Sequence, residues 1–291
     1  MDRIRTMTPK EIRDIFERKD YSALKRFGQN FLVDDDVISR ICDSILECAG
    51  ASGLVYEIGP GLGSLTGKLI SSGVKVRAFE IDKGFCEYLG AAGFGDSLEV
   101  IGGDAMETLF SGGHRPGCLC GNLPYNVGTV MITRILENGI GGFYPDSMVF
   151  LLQKEVADKF SAAEGSKNFS SLGILTWLSY ECRKLFDVKP SAFFPVPKVM
   201  SGLVVFRKKD IPAFDDAERK RNFIKLVRMA FANRRKTMKN NLNLGGIAQA
   251  EDVLMKAGID PTKRADELRV VDFMRLDDVL ESGKLAGRDE K

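Results

Sequence analysis

The amino-acid sequence predicts an α/β fold, with a largely parallel sheet flanked by helices and a small all-helical domain after it. Within residues 54–206, short apolar runs rich in strand-forming residues alternate with helical patterns, which is typical of parallel strands joined by helices. After Phe206 we expect no further strand. Apolar residues recur there at helical spacing, at Phe223, Leu226, Val227, Ala230 and Phe231.

Individual strands can be assigned within the α/β region. They are predicted over residues 54–58, 74–80, 98–101, 118–121, 148–152, 185–188 and 203–206. Because parallel strands joined by helices end at the same edge of a sheet, residues that directly follow these strands are expected to lie close together.

Helices are predicted at both ends of the chain. Thr8-Pro9-Lys10-Glu11 has the pattern of a capping box with proline at the first helical position, and apolar residues follow it at helical spacing. Further helices are expected over residues 248–257 and 265–280. We therefore divide the chain into an N-terminal helical extension over residues 1–20, an α/β domain over residues 21–209 and a C-terminal helical domain over residues 210–291.

Composition and charge narrow the class of protein. Hydrophobic residues make up 44% of the chain and charged residues 28%, which is typical of an ordinary globular protein. The 42 Lys and Arg against 40 Asp and Glu give a net charge of only +2, so any basic face for nucleic acid must be local.

The cysteines and the N-terminus predict the cellular setting. The 6 cysteines form no C-x-x-C pair and the 1 histidine, His114, stands apart from them, so no metal site is expected. The N-terminal segment lacks the apolar stretch of a signal peptide, and no run approaches membrane-spanning length. We expect a cytoplasmic protein with reduced thiols and no membrane partner.

A glycine-rich turn follows the first predicted strand. Gly59, Gly61 and Gly63 alternate there, and glycines let backbone approach a ligand closely at the strand ends where α/β folds bind nucleotides. The alternative is a tight strand-to-helix turn without a ligand. A dinucleotide fingerprint would place its third glycine where Ser64 stands, which disfavours a nucleotide-dependent oxidoreductase but leaves it open.

Two acids follow the next two strands. Glu80 ends the second strand, at the distance from the glycine turn where a nucleotide-binding unit places an acid against ribose hydroxyls. Asp104 follows the third strand and can accept a hydrogen bond from an adenine amino group. The alternative for either acid is an exposed side chain without a ligand.

Gly121-Asn122-Leu123-Pro124-Tyr125 follows the fourth strand and is the most specific group of residues in the chain. An adenine removed from its stack needs a flat aromatic partner and acceptors for its amino hydrogens, and Tyr125 and Asn122 meet these needs. The alternative is a rigid turn whose tyrosine covers the core.

These motifs resemble the small-subunit ribosomal RNA adenine dimethyltransferases of the KsgA type, which are related to the erythromycin-resistance methyltransferases. The resemblance covers nearly the whole chain, beginning at Gly28-Gln29-Asn30-Phe31-Leu32 and ending near Arg275. It implies a Rossmann-like methyltransferase fold, S-adenosylmethionine as cofactor and a monomer that acts on small-subunit (16S) ribosomal RNA within a pre-30S particle. Residues 21–209 are then the catalytic domain and residues 210–291 the RNA-binding domain.

The resemblance also assigns roles to single residues. It implies a cofactor-binding set consisting of Asn30, Leu32, Gly59, Glu80, Asp104 and Asn122. It implies a catalytic set consisting of Asn122, Leu123, Pro124, Tyr125 and Phe193, in which the two rings sandwich the flipped adenine. Leu123 favours the small-subunit enzymes, because the large-subunit enzymes usually carry isoleucine at this position.

A basic segment in the helical domain is expected to bind RNA phosphates. Its residues are Arg228, Arg234, Arg235, Lys236 and Lys239, which we expect on a helix with the charges facing outward. The alternative is a solvated helix face.

Two other functions remain open besides the oxidoreductase. One is a large-subunit ribosomal RNA methyltransferase, and the other is a ribosome-assembly factor that binds RNA without catalysis. For the enzyme we expect direct in-line transfer of a methyl group to the adenine amino nitrogen, with Asn122 and a backbone oxygen of Leu123 or Pro124 accepting its hydrogens.

Overall fold

The computed structural model describes residues 6–18, 30–111, 117–124, 127–139, 144–211, 213–214 and 216–286. The chain forms two compact units, one of residues 1–158 with 180–209 and the other of residues 159–179 with 210–291. The segment 159–179, which the sequence led us to group with the α/β domain, therefore belongs to the C-terminal unit. The reason is that its helix buries Ile174 and Leu175, and it contacts the first long helix of that unit.

The first unit contains nine described strands and most of the N-terminal helices. Its strands are β1 (Phe31–Leu32), β2 (Leu54–Ile58), β3 (Lys75–Glu80), β4 (Leu98–Gly102), β5 (Cys118–Asn122), β6 (Ser147–Gln153), β7 (Tyr180–Val188), β8 (Phe193–Phe194) and β9 (Ser201–Lys208). Its helices are α1 (Pro9–Arg18), α2 (Asp35–Ala49), α3 (Ser64–Ser71), α4 (Lys83–Gly90), α5 (Ala105–Ser111), α6 (Gly128–Asn138) and most of α7 (Lys154–Phe160).

Seven of these strands form one sheet in the order β4-β3-β2-β5-β6-β9-β7. The strands from β4 to β6 are parallel, whereas β9 lies antiparallel to both β6 and β7. The α/β class and the seven predicted strands are confirmed, and the observed strands are longer than predicted at several ends. Because β2, β3, β4 and β5 run parallel, their carboxyl ends meet at one edge of the sheet.

A second, two-stranded sheet was missed from the sequence. In it, β1 pairs antiparallel with β8, so that Phe31 lies opposite Phe194 and Leu32 opposite Phe193. Each strand has only two residues, which is too short for an alternating pattern to be recognised. This pairing fixes the segment that begins at Asn30 beside the main sheet.

The second unit is helical. It contains α8 (Ser171–Trp177), α9 (Ala217–Ala230), α10 (Met238–Leu244), α11 (Ala250–Lys256) and α12 (Val270–Ala286). The predicted apolar stripe of α9 is buried, except that Phe231 follows the helix and stacks on Phe273 at 5.9 Å between ring centroids. Among the described helices of the chain, none has the length and hydropathy needed to cross a bilayer.

The core of the first unit contains an acidic side chain. Glu57 on β2 is only 1% exposed, and its Oε2 atom accepts a 2.6 Å hydrogen bond from the Thr66 hydroxyl. Burial raises the pKa of the Glu57 carboxyl from 4.5 to about 7, and the nearby Glu80 acts in the same direction. The thiols of Cys42 and Cys120 also face it, and burial keeps both neutral by raising their pKa values.

We predict that Glu57 makes folding stability depend on pH. The free energy of unfolding should fall as pH rises from about 4.5 to about 7, because the folded state resists an ionisation that the unfolded chain permits. The difference in pKa corresponds to roughly 3 kcal/mol. Glu57→Gln keeps an acceptor for Thr66 and should remove most of this dependence in urea unfolding at pH 5 and pH 8.

The exposed acid Glu99 on β4 provides the control. Glu99→Gln should leave the difference between the two pH values as in the wild type. If Glu57→Gln loses the same stability between pH 5 and pH 8 as the wild type, the ionisation of Glu57 does not determine that difference.

Candidate active site

The glycine turn forms the floor of the site. Gly59, Gly61 and Gly63 have φ angles of 67°, 56° and 81°, a left-handed conformation that favours glycine. The Gly59 amide donates to the Phe79 carbonyl at 2.9 Å, so the turn is fastened to β3. A Cβ atom added at Gly59 would meet no protein atom within 4 Å, and the space over this glycine is therefore open to a ligand.

Glu80 joins the turn to the end of β3. Its carboxylate accepts the Gly61 amide at 3.0 Å and the Asp82 amide at 2.9 Å, although the residue is only 1% exposed. Burial raises the pKa of the Glu80 carboxyl, and these two backbone donors act against that increase. A carboxylate offers about four acceptor positions, so two bonds from the protein leave capacity for ligand hydroxyls.

Asn122 ends β5 with its amide held in one orientation. The Asn122 Nδ2 group donates to the Asn30 carbonyl at 2.8 Å, which leaves the side-chain oxygen Oδ1 as the acceptor. The preceding Gly121 allows β5 to pass close to β2, because a Cβ atom there would lie 2.4 Å from the Ile58 carbonyl oxygen. The close approach brings Asn122 beside the glycine turn.

Two adjacent cavities share Gly59 and Pro124. The first is lined by Asn30, Phe31, Leu32, Glu57, Gly59, Pro60, Gly61, Ser64, Leu65, Asn122, Leu123 and Pro124. The second is lined by Ile58, Gly59, Phe79, Glu80, Ile81, Gly103, Asp104, Ala105, Met106, Pro124, Val127, Val130 and Met131. The structure thus brings together every residue of the predicted cofactor set, and Leu123 and Pro124 of the catalytic set.

Asp104 has a local role as well as a place in the second cavity. It is exposed, and its Oδ1 atom accepts the Met106 amide at 2.8 Å, which caps the start of α5. The apolar side chains Ile81 and Val130 flank the same cavity and are 50% and 59% exposed. A flat apolar ligand between them would remove this surface from water.

Of the two predicted stacking rings, the structure describes that of Phe193. Tyr125 lies outside the described residues, as does His114. Phe193 lines neither cavity, because its pairing with Leu32 directs it into the core, where it is 2% exposed. The neighbouring ring of Phe194 is half-buried, and the Arg13 guanidinium lies 5.5 Å from its centroid.

The basic segment differs from the predicted helix. Arg234, Arg235 and Lys236 are exposed in the turn between α9 and α10, whereas Arg228 is exposed in the last turn of α9. Lys239 lies on α10 and is paired with a carboxylate of α11. The helix ends at Ala230, and the chain turns before α10 begins at Met238.

A buried amide shapes this basic turn. Asn241, which is 2% exposed, donates from Nδ2 to the Ala230 carbonyl at 2.7 Å and to the Asn233 carbonyl at 3.1 Å. These two bonds satisfy carbonyls at the end of α9 and leave the three basic side chains of the turn in solvent.

Sequence reasoning assigned no role to Glu57, Ser64 or the apolar wall of the second cavity. Glu57 precedes the glycine turn, but nothing in its spacing distinguishes a buried acid from an exposed one. The Ser64 hydroxyl donates to the Leu32 carbonyl at 3.2 Å and so ties α3 to β1. These contacts join residues far apart in the chain, which local patterns do not show.

Comparison with known proteins places this site in a family. A family model described as ribosomal RNA adenine dimethylase matches residues 21–282. A Treponema denticola protein named ribosomal RNA small subunit methyltransferase A is 35% identical, with 94% of each chain covered. A Neisseria meningitidis protein of the same name is 37% identical, with 90% of this chain and 98% of its own covered.

Solved structures agree with the fold. The 23S rRNA methyltransferase ErmE superposes with a TM-score of 0.65 at 25% identity, covering 87% of this chain and 100% of its own. A dimethyladenosine transferase from Plasmodium falciparum gives a TM-score of 0.66 at 24% identity, with 87% and 98% covered. The predicted resemblance and the Rossmann-like methyltransferase fold are confirmed, and the chain belongs to the ribosomal RNA adenine dimethylase family.

Proposed function

We propose that this chain dimethylates the exocyclic amino groups of adenosines in small-subunit ribosomal RNA, with S-adenosylmethionine as the methyl donor. The observation that carries the proposal is the amide of Asn122, held by Asn30 with its oxygen as the acceptor beside the glycine turn. The relatives named small-subunit methyltransferases are 35% and 37% identical, against 25% for ErmE, and this difference supports the small subunit as the substrate.

The second cavity fits an adenosine. Glu80 offers buried carboxylate oxygens to the ribose hydroxyls, and Asp104 offers an acceptor to the adenine amino group. Ile81 and Val130 flank the space for a flat ring. The glycine spacing also disfavours a nucleotide-dependent oxidoreductase.

The first cavity fits the positively charged part of the cofactor. When bound, S-adenosylmethionine supplies a methyl group on a positively charged sulfonium. Gly59 leaves room for it, because no side chain fills the space over that residue. The Glu57 carboxyl lines the same cavity, where little water would screen its negative charge once it is ionised.

The end of β5 orients the target amine. The Pro124 carbonyl accepts the amides of Val127 and Gly128, both at 3.0 Å, and is thus engaged in starting α6. We therefore assign the Leu123 carbonyl, with Asn122 Oδ1, as the acceptors for the amino hydrogens. Holding those hydrogens directs the nitrogen lone pair towards the methyl group without removing a proton first.

The remaining assignments extend the proposal. Tyr125 stacks on the target base, a role that stays a prediction, and Phe193 would have to leave the core to do the same.

The protein acts in the cytoplasm as a monomer on a pre-30S particle. Residues 210–291 contact the RNA of that particle through the basic turn of Arg234, Arg235 and Lys236. Arg228, which is close to this turn in sequence, belongs to the same predicted RNA-binding set.

We predict that Asn122→Ala abolishes most methyl transfer. In an assay with undermethylated small subunits and S-adenosylmethionine, the variant should form dimethyladenosine roughly 10²-fold or more slowly than the wild type, because one positioned acceptor is lost. Mass spectrometry of the digested RNA measures the product. Asn138→Ala, which changes an exposed amide at the end of α6, should keep wild-type turnover.

The same assay tests the competing functions. Methylation of large-subunit RNA in place of small-subunit RNA would favour the erythromycin-resistance type of activity. Binding of small subunits with no methyl transfer by the wild type would identify an assembly factor instead.

We predict that Glu80→Ala weakens S-adenosylmethionine binding. The ribose hydroxyls would lose hydrogen bonds to a charged group, worth roughly 1.5–3 kcal/mol, so Kd in calorimetry should rise by at least about tenfold. Glu87→Ala, an exposed acid on α4, should bind as the wild type does. Unchanged affinity in a folded Glu80→Ala variant would remove the acid from the cofactor site.

We predict that the basic turn sets the salt dependence of RNA binding. Replacing Arg234, Arg235 and Lys236 with Gln should leave cofactor affinity intact and lower the logarithmic salt slope by roughly 0.7 to 0.9 for each lost phosphate contact. Lys239→Gln should change the slope less, since Lys239 is already paired with Glu251. A wild-type slope in the folded triple variant would show that the RNA contacts lie elsewhere.

A further inference from the structure

The N-terminal helix α1 carries a buried face although it precedes the sheet. Its start is fixed by the capping box, in which the Thr8 amide donates to Glu11 Oε2 at 2.8 Å and the Glu11 amide donates to the Thr8 hydroxyl at 3.3 Å. Ile12 and Phe16 are 1% and 6% exposed, whereas Glu17 on the other face is exposed.

The buried face packs into a separate cluster, which we call the loop cluster. Its members are Ile12, Phe16, Phe31, Leu62 and Phe85. Three of its rings contact one another, with centroid distances of 5.8 Å for Phe16 and Phe31, 6.2 Å for Phe16 and Phe85, and 5.8 Å for Phe31 and Phe85. Such distances are those of tilted and edge-on aromatic pairs.

Each partner of α1 belongs to a segment that carries a residue of the cofactor site or adjoins one. Phe31 stands between Asn30 and Leu32, Leu62 lies within the glycine turn, and Phe85 lies in the first turn of α4. That helix is capped by Asp82, whose own amide donates to Glu80. Thus one helix face shares a cluster with three segments that are distant from one another in the chain.

The ring of Phe31 supports the glycine turn directly. A Cβ atom added at Gly61 would lie 3.1 Å from Phe31 Cε1, so the backbone at Gly61 rests against this ring. The amide of the same Gly61 donates to Glu80. A continuous series of contacts therefore runs from Phe16 through Phe31 and Gly61 to the carboxylate.

We propose that α1 is a positioning element for the cofactor, with Phe16 and Ile12 as the positioning residues that hold the glycine turn against Glu80. This rests on the proposed cofactor site. If α1 is displaced, Phe31 loses the packing on one side of its ring, and the turn gains freedom that binding must then remove. The cost falls on cofactor affinity, whereas Asn122, which orients the target amine, stays at the end of β5 and the pairing of β1 with β8 keeps the Asn30 segment in place.

The test is Phe16→Ala in the full chain. Calorimetry should show the Kd of S-adenosylmethionine raised about tenfold, equal to about 1.4 kcal/mol, with kcat at saturating cofactor within about twofold of the wild type. Proteolysis after Arg13, which lies within α1, should become faster, which reports that α1 has detached and unfolded.

A second variant and two controls keep the result interpretable. Thr8→Ala with Glu11→Ala weakens α1 from its exposed end and should raise Kd in the same direction if Phe16→Ala does not fold. Glu17→Ala should change neither quantity. Ile45→Ala removes a buried side chain from the main core, and should lower the melting temperature without changing Kd.

The outcomes separate the two proposals. A wild-type protein that binds no S-adenosylmethionine would contradict the cofactor site itself. Unchanged Kd in a Phe16→Ala variant whose α1 is freely cleaved would overturn the role of α1 while leaving the cofactor site in place. An equal rise of Kd in Ile45→Ala would also overturn it, because general destabilisation would then explain the effect.

Discussion

The hydrogen bond from the Gly61 amide to the Glu80 carboxylate, 3.0 Å long, is the contact on which the site depends. It closes the glycine turn onto the end of β3, and the same carboxylate accepts the Asp82 amide as the chain enters α4. One buried charge thus orders a turn, a strand end and the approach to a helix. Its burial is costly by itself, and the two charge-assisted bonds from backbone donors offset that cost.

Glu57 and Glu80 are two acids with different surroundings in the same core. Burial raises the pKa of both, but Glu80 has backbone amides that stabilise its charge, whereas Glu57 has the Thr66 hydroxyl. Burial holds the pKa of Glu57 at about 7, so that its ionised form destabilises the fold. A cationic ligand in the first cavity would stabilise the ionised form of Glu57. Binding would then offset the folding stability that is lost when Glu57 ionises.

The sheet and the site residues that follow its strands could be predicted from local patterns, because the alternation of strands and helices fixes which strand ends meet. The capping box of α1 was likewise visible in four residues. The burial of Phe193 could not be predicted, since it depends on pairing with Leu32, which lies far away in the chain. Nor could the turn at Arg234 be predicted, because the helical stripe of α9 continues to Phe231 in sequence while the backbone ends the helix at Ala230, where Asn241 binds its carbonyl. In both cases a distant partner decided against the local pattern.

The acceptors at the end of β5 also bear on how pH should affect the reaction. Asn122 Oδ1 and the Leu123 carbonyl are neutral and do not titrate, so the chemical step as assigned needs no general base. A protonation that alters the reaction rate would then act through cofactor binding, and its effect would appear when the cofactor is not saturating. Glu57 lies in the cofactor cavity with a pKa of about 7, and its ionisation would strengthen the hold on a positively charged ligand. The pH dependence should thus appear in the Michaelis constant for the cofactor, whereas kcat at saturation should vary little across the same range.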